Sequence, residues 1–169
     1  MKNHVRLNMR DLTFIGAGSY GRYFKIDKKT GVKILTEDCF DTLSELMESY
    51  VFSDSVNEFN RLKRLYGTSH VFPKPISLAI VRELQYSKQP IYHVGYTMKH
   101  IDGKTVSNST MSDKDWASLA RARTSLEKKG IWFDDSHAGN VIKRRTKKYR
   151  KFIFVDAGAF KFQGEVRYE

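Results

Sequence analysis

Three glycines stand close together near the amino terminus, and the segments on both sides of them have the composition of β-strands. Gly16, Gly18 and Gly21 form a G-x-G-x-x-G pattern within residues 15–26, IGAGSYGRYFKI. Glycines permit a tight turn and let backbone N–H groups approach phosphates closely. An ordinary hairpin would also use them, and a dinucleotide-binding turn would open a helix. Because a strand-like segment follows Gly21, the pattern favours a glycine-rich lid over a nucleotide.

The rest of the chain predicts strands and helices in an α+β order. Alternating apolar residues and turn signals indicate strands at 12–16, 22–26, 31–35, 75–83, 90–98, 140–144 and 151–156. Apolar residues at helical spacing indicate helices at 40–50, 53–66 and 113–129. The predicted caps are Asp41, then Ser53 or Asp54, then Ser112 with Asp113. The third helix would bury Trp116, Leu119, Ala120 and Leu126 and end at Gly130.

Lys33 is the first candidate for binding chemistry. It lies in GVKIL, where strand alternation places it on the face opposite Val32 and Ile34. Most lysines in a chain with 30 basic residues lie on the surface. If this face borders a cleft, the amine would reach phosphates and would need a carboxylate to fix its position. Glu58 is the best candidate, and Glu45 and Glu48 are the alternatives.

Asp135, Asn140 and Asp156 form the second candidate group. Asp135 and Asn140 lie in FDDSHAGNVI, and Asp156 ends the hairpin that follows. A lone Asp is usually a cap or turn residue, but a hairpin would bring these three together. Phosphoryl transfer requires a carboxylate near the acceptor hydroxyl and hard oxygen ligands for Mg²⁺. We therefore expect Asp135 to act as the base and Asn140 and Asp156 to hold the metal.

In this order, the motifs resemble those of the protein kinase-like superfamily over roughly residues 11–160. IGAGSYG looks like its glycine-rich loop, VKI like its strand lysine, DDSHAGN like its catalytic loop and VDAG like its metal-binding motif. The DDSHAGN segment is closer to aminoglycoside-phosphotransferase-like and small atypical kinases than to typical protein kinases. The resemblance implies a bilobal α+β fold, with an antiparallel N-lobe sheet plus a helix and a minimal C-lobe.

The resemblance also implies a site for ATP and Mg²⁺. Ser19 would lie in the phosphate loop, the backbone from Met98 to Ile101 would meet adenine, and His137 would donate to a phosphate. The expected division of one kinase-like domain, 1–169, is an N-lobe at about 11–98, a hinge at 99–103 and a reduced C-lobe at 104–169.

Several positions depart from the family pattern. Phe133 and Asp134 stand where typical protein kinases have His and Arg, and Ala157 replaces the middle residue of D-F-G. Only eleven residues follow Gly158, so we expect a reduced lobe with apolar surface around Trp116, Trp132 and Phe160. A protein substrate, a partner or a second copy of the chain would cover such a surface.

The charge and composition of the chain indicate which partners and which cellular setting to expect. The formal charge is +11, and residues 143–151, KRRTKKYRK, carry seven basic side chains in nine positions. This run is either a solvated turn or a site for nucleic acid or another anionic partner. No apolar stretch approaches the roughly 20 residues that span a bilayer, and Cys39 is the only cysteine. We therefore expect no membrane association and a cytoplasmic protein.

The leading functional hypothesis is an ATP-dependent phosphotransferase, a kinase that acts on a protein Ser/Thr hydroxyl or on itself. One alternative is a pseudokinase-like module that binds a nucleotide or a partner without transfer. A small-molecule kinase is a further alternative, which the aminoglycoside-type loop permits.

Overall fold

The structure is a computed structural model that describes residues 4–18, 21–35, 38–86, 88–105, 111–133, 140–145 and 150–165. The chain forms two compact units. Unit 1 comprises Met1–Lys63 and Lys74–His100, and unit 2 comprises Arg64–Pro73 and Ile101–Glu169. Strands and helices are mixed along the sequence, which confirms the predicted α+β class. Among the described residues, no helix is both long and apolar enough to cross a membrane.

Unit 1 is built on a six-stranded sheet with the order β1-β5-β6-β4-β3-β2. Its strands are β1 (His4–Asn8), β2 (Thr13–Gly18), β3 (Gly21–Lys25), β4 (Thr30–Ile34), β5 (Pro75–Leu84) and β6 (Pro90–Lys99). The predicted strands from β2 to β6 are all present, and they pair antiparallel. The predicted antiparallel sheet is confirmed for these five strands, and β1, which was not predicted, pairs parallel with β5. The sequence pattern did not identify β1, whose partner lies far along the chain.

Two helices follow β4, and both begin at a different residue from the one predicted. Helix α1 (Leu43–Glu48) is capped by Thr42 rather than Asp41, because Thr42 and Glu45 form a reciprocal capping box. Helix α2 (Tyr50–Thr68) begins before Ser53. The Ser49 hydroxyl accepts the N–H of Phe52 at 3.2 Å, which satisfies a donor in the first turn.

Apolar clusters cover both faces of this sheet. On one face, Leu46 and Val51 from the helices pack with Ile80 and Val94 from the strands. On the other face lies a cluster of Phe24, Val32, Ile34, Ala79 and Val81. Residues that alternate with Val32 and Ile34 along β4 therefore point to the helical face.

Unit 2 contains one long helix and two small sheets. Its elements are β7 (Lys104–Thr105), α3 (Asp113–Glu127), β8 (Ile131–Phe133), β9 (Val141–Arg145), β10 (Arg150–Phe154) and β11 (Phe160–Phe162). The predicted hairpin is present, as β10 pairs antiparallel with β9 and β7 lies on the other edge of β9. The second sheet, β11 with β8, was not predicted. Gly130, with φ +72, follows α3 as predicted.

The predicted buried side of α3 is partly wrong. Leu119 and Leu126 are buried, but Trp116 is 41% exposed and Ala120 is exposed. Asp115 is buried in their place, because it closes the capping box with Ser112 and binds Lys143. The expected exposure of Phe160 is also wrong, since its side chain is fully buried.

Candidate functional site

Lys33 and Glu58 form a close ion pair in unit 1. Lys33 lies on β4, on the helical face of the sheet, and Glu58 lies on α2. The Lys33 Nζ donates to Glu58 Oε1 at 2.8 Å. Their side chains are only 11% and 14% exposed, so water screens the attraction less than at a surface. The structure thus selects Glu58, and not Glu45 or Glu48, as the partner of Lys33.

Tyr96 is a third member of this group, and it was missed in the sequence. Tyr96 on β6 pairs directly opposite Lys33, and its hydroxyl donates to Glu58 Oε1 at 2.7 Å. Its side chain is fully buried. The alternation along β6 places it on the same face as Met98, but only the register between β4 and β6 brings it to Lys33. The sequence does not encode that register locally.

The glycine-rich segment forms the turn between β2 and β3. Gly18 pairs with Gly21 across the two antiparallel strands, and a bulge lies between Phe14 and Gly16. Gly21 has φ +125, and an added Cβ would collide with the carbonyl oxygen of Ile34. A Cβ on Gly16 would meet no atom of the described residues within 4 Å. The two glycines therefore differ: the backbone requires Gly21, whereas no described residue fills the space beside Gly16. Ser19 lies outside the described residues.

The segment expected to meet adenine begins at the end of β6. Met98 pairs with Gly31 and is 3% exposed, and Ile101 is also buried. The N–H groups of Lys99 and His100 donate to the carbonyl oxygens of Lys74 and Lys29 at 2.8 and 2.7 Å. These two donors are therefore engaged within unit 1.

The hairpin of unit 2 holds Asn140 and Asp156 at one end. Val141 pairs with Phe154, and the next N–H along, from Val155, donates to the carbonyl oxygen of Asn140 at 2.9 Å. Asp156 is 6% exposed, and its Oδ1 accepts the N–H of Gly158 at 3.0 Å. No cluster of three His, Cys, Asp or Glu side chains placed to hold a metal occurs among the described residues. The hairpin therefore places Asn140 and Asp156, two of the three predicted residues, at the same end of its two strands.

Asp135 and His137 lie outside the described residues, but the strand that leads to them is well packed. Phe133, at the end of β8, stacks on Phe160 at 4.7 Å and meets Phe154 edge to face at 5.3 Å. Phe72 completes the group through contacts with Phe154 and Phe160 at 6.0 and 4.8 Å. We call these four residues the aromatic cluster. It joins β8 to the strand that precedes Asp156.

Lys143, the first residue of the basic run, has a structural partner. Its Nζ donates to Asp115 Oδ2 at 2.7 Å, and Asp115 is 1% exposed. The same oxygen accepts from the N–H and hydroxyl of Ser112 at 3.1 and 2.7 Å. Lys143 therefore ties β9 to the start of α3. Residues 146–149 of the run lie outside the described residues.

Neither a scan against protein-family models nor a search of curated proteins finds a match for the sequence. Solved structures do match. The Rio2 kinase of Chaetomium thermophilum, in a complex with ADP, Mg²⁺ and phosphoaspartate, is 20% identical with a TM-score of 0.56, covering 89% of this chain and 49% of its own. The Lpg2603 kinase of Legionella pneumophila bound to IP6 is 16% identical with a TM-score of 0.49, and the match covers 94% of this chain and 53% of that one. Monomeric WbdD is 18% identical with a TM-score of 0.49, and the match covers 85% of this chain and 33% of that one.

These matches concern the fold. The chain has a protein kinase-like fold, as the sequence motifs indicated. It spans about half the length of the Rio2 chain that it matches.

Proposed function

We propose that the chain is an ATP-dependent phosphotransferase that transfers the γ-phosphate to a protein Ser/Thr hydroxyl or to itself. The buried ion pair between Lys33 and Glu58 is the observation that carries this proposal. A lysine on a central strand, held at 2.8 Å by a helix carboxylate, is what a kinase-like fold requires to bind the phosphates of ATP. The kinase-like fold and the presence of ADP and Mg²⁺ in the Rio2 complex support the same assignment.

The residues present are chemically suited to ATP and Mg²⁺. Asp156 supplies a largely buried carboxylate and Asn140 an amide oxygen, and Mg²⁺ prefers hard oxygen ligands of this kind. They lie at the same end of one hairpin. When bound, Mg²⁺ would neutralise negative charge that develops on the phosphates.

Each residue of the proposed site has a distinct task. Lys33 would donate to the phosphates of ATP, and Glu58 would keep its amine in place. The backbone around Gly16 and Gly18 would approach the phosphates, and no described atom lies within 4 Å of a Cβ added at Gly16. Asp135 would accept the proton of the attacking hydroxyl, so that the oxygen becomes nucleophilic as it approaches the γ-phosphate. His137 would donate a hydrogen bond to a phosphate oxygen.

Release of ADP from ATP by the purified chain tests this proposal. We expect Asp135→Ala and Lys33→Met each to reduce turnover by roughly a hundredfold or more. Lys28→Met is the matched control, because Lys28 is an exposed lysine in the turn between β3 and β4. Equal turnover in the wild type and in Asp135→Ala would overturn the catalytic assignment.

The same variants distinguish transfer from binding alone. A pseudokinase-like module would bind ATP without any turnover that depends on Asp135, and calorimetric titration with Mg-ATP would detect that binding. Phosphate that appears on serine or threonine of the chain, or of an added protein, would support the proposed acceptor class. Transfer confined to small molecules would instead identify a small-molecule kinase.

A further inference from the structure

Tyr96 is attached to the Lys33–Glu58 pair through its hydroxyl group. Because Tyr96 and Lys33 are directly opposite each other on β6 and β4, both side chains lie on the face that α2 covers. Glu58 Oε1 accepts from Tyr96 Oη at 2.7 Å and from Lys33 Nζ at 2.8 Å. One carboxylate oxygen on the helix therefore binds donors from two different strands.

The packing around Tyr96 fixes its hydroxyl in this position. Its side chain is fully buried, and Phe59, the residue after Glu58, packs against its ring with centroids 6.1 Å apart. Loss of a hydrogen bond from a buried hydroxyl is costly in free energy. The bond to Glu58 is therefore part of the core of unit 1.

This second donor matters when Lys33 binds a phosphate. A lysine ammonium has three N–H donors, and any displacement towards a phosphate weakens its bond to Glu58. The Glu58 side chain is only 14% exposed, and a buried carboxylate without a partner is costly. Tyr96 belongs to a different strand, so its hydroxyl continues to donate when the Lys33 side chain moves.

We propose that Tyr96 is a positioning residue that holds the Glu58 carboxylate in place while Lys33 binds the phosphates of ATP. The inference rests on the function proposed above. It implies that α2 remains bound to the sheet in the absence of nucleotide, because Tyr96 and Lys33 both connect to it through Glu58.

Tyr96→Phe tests this role, since it removes the hydroxyl and keeps the ring. We expect the Kd for Mg-ATP to rise about tenfold, the effect of losing one hydrogen bond to a charged group. In a Glu58→Ala background the same substitution should have no further effect on Kd, because Tyr96 acts through Glu58. Tyr92→Phe is the matched control. Tyr92 lies on the same strand but packs against the apolar cluster of Leu46, Val51, Ile80 and Val94.

Hydrogen exchange of the nucleotide-free chain provides a second measurement. Tyr96→Phe should accelerate exchange of the α2 amides in the turns around Glu58, and Tyr92→Phe should not. An unchanged Kd in Tyr96→Phe, or an equal loss of affinity with and without Glu58, would overturn the positioning role. If the wild type does not bind Mg-ATP, the proposed function is wrong, and unchanged exchange would then show that Tyr96 does not hold α2 either.

Discussion

At the scale of single residues, Asp27 stabilises the turn between β3 and β4. Its Oδ1 accepts the N–H groups of Lys29 and Thr30 at 2.6 and 2.8 Å. The bond from the Lys29 N–H, followed by that from Thr30, lowers the pKa of the Asp27 carboxyl below its ordinary value of 3.8. The charged form is therefore favoured in the folded chain, and this fixes the loop that precedes Lys33.

We expect Asp27→Ala to lower the melting temperature near neutral pH. A carboxyl whose pKa is lower in the folded state stabilises the fold above the unfolded-state pKa, and this contribution is lost as the pH falls through the folded-state value. The difference from the wild type should therefore shrink as the pH falls below the ordinary carboxyl pKa of 3.8. Thermal unfolding of Asp27→Ala and of Lys28→Ala, an exposed neighbour in the same turn, would measure it. A difference that is independent of pH would contradict this account.

The partner of Lys33 also illustrates what a sequence can predict about a site. Glu58 could be selected because helical spacing places it beside the buried stripe of Phe59, Leu62 and Leu65. Tyr96 could not, because its position depends on which residue of β6 lies opposite Lys33. A shift by one residue would move Tyr96 to the other face of the sheet.

At the scale of elements, two glycines at the turn between β2 and β3 have different roles. The fold requires Gly21, whereas Gly16 is proposed to let the backbone approach phosphates. We expect Gly21→Ala to lower the free energy of unfolding by about 1–3 kcal/mol, because φ +125 strains any side chain and the added Cβ meets Ile34. Gly16→Ala should leave stability nearly unchanged and should weaken Mg-ATP binding, if the phosphates approach this backbone. Chemical denaturation and calorimetric titration of both variants would measure the two effects. A stable Gly21→Ala variant would contradict the steric argument.

The start of α3 depends on the buried carboxylate of Asp115. Ser112 caps the helix as predicted, but its partner in the capping box is Asp115 and not Asp113. Asp115→Ala removes the capping box and deprives Lys143 of its partner. We expect a loss of roughly 2–3 kcal/mol in the free energy of unfolding, which combines a lost cap with a broken, largely buried ion pair. Asp113→Ala is the matched control, because Asp113 is an exposed acidic residue in the same turn. Equal effects of the two substitutions in urea denaturation would contradict this assignment.

Local elements could be predicted more completely than distant pairings. The strands from β2 to β6 carry alternation and turn signals within a few residues of each other. By contrast, β1 pairs with β5 and β8 pairs with β11 across long stretches of sequence. Such pairings depend on tertiary packing, and short strands of this kind leave a weak local pattern.

At the scale of the whole molecule, the aromatic cluster connects four segments of unit 2. It draws on a loop after α2 and on strands β8, β10 and β11, all through buried or partly buried phenylalanines. Phe133 lies two residues before Asp135, and Phe154 lies two residues before Asp156. The cluster therefore holds the strands that lead to two of the proposed site residues.

We expect Phe154→Ala to destabilise the chain by about 3–5 kcal/mol, because Phe154 is fully buried and contacts the other three phenylalanines. Phe154→Leu should cost clearly less, as it keeps most of the apolar volume. Urea denaturation of the two variants would measure the difference. A loss below about 1 kcal/mol for Phe154→Ala would mean that the cluster does not carry the stability of unit 2.

The division of the chain into two units limits which fragments of the protein contain a complete unit. Neither unit is continuous in sequence, because Arg64–Pro73 belongs with the residues that follow Ile101. A fragment that ends at His100 would contain every strand of the six-stranded sheet, yet it would leave Phe72 without Phe154 and Phe160. During synthesis on the ribosome, Phe72 likewise emerges long before its partners. The contacts of Phe72 in the loop after α2 can therefore form only after β10 and β11 have been made.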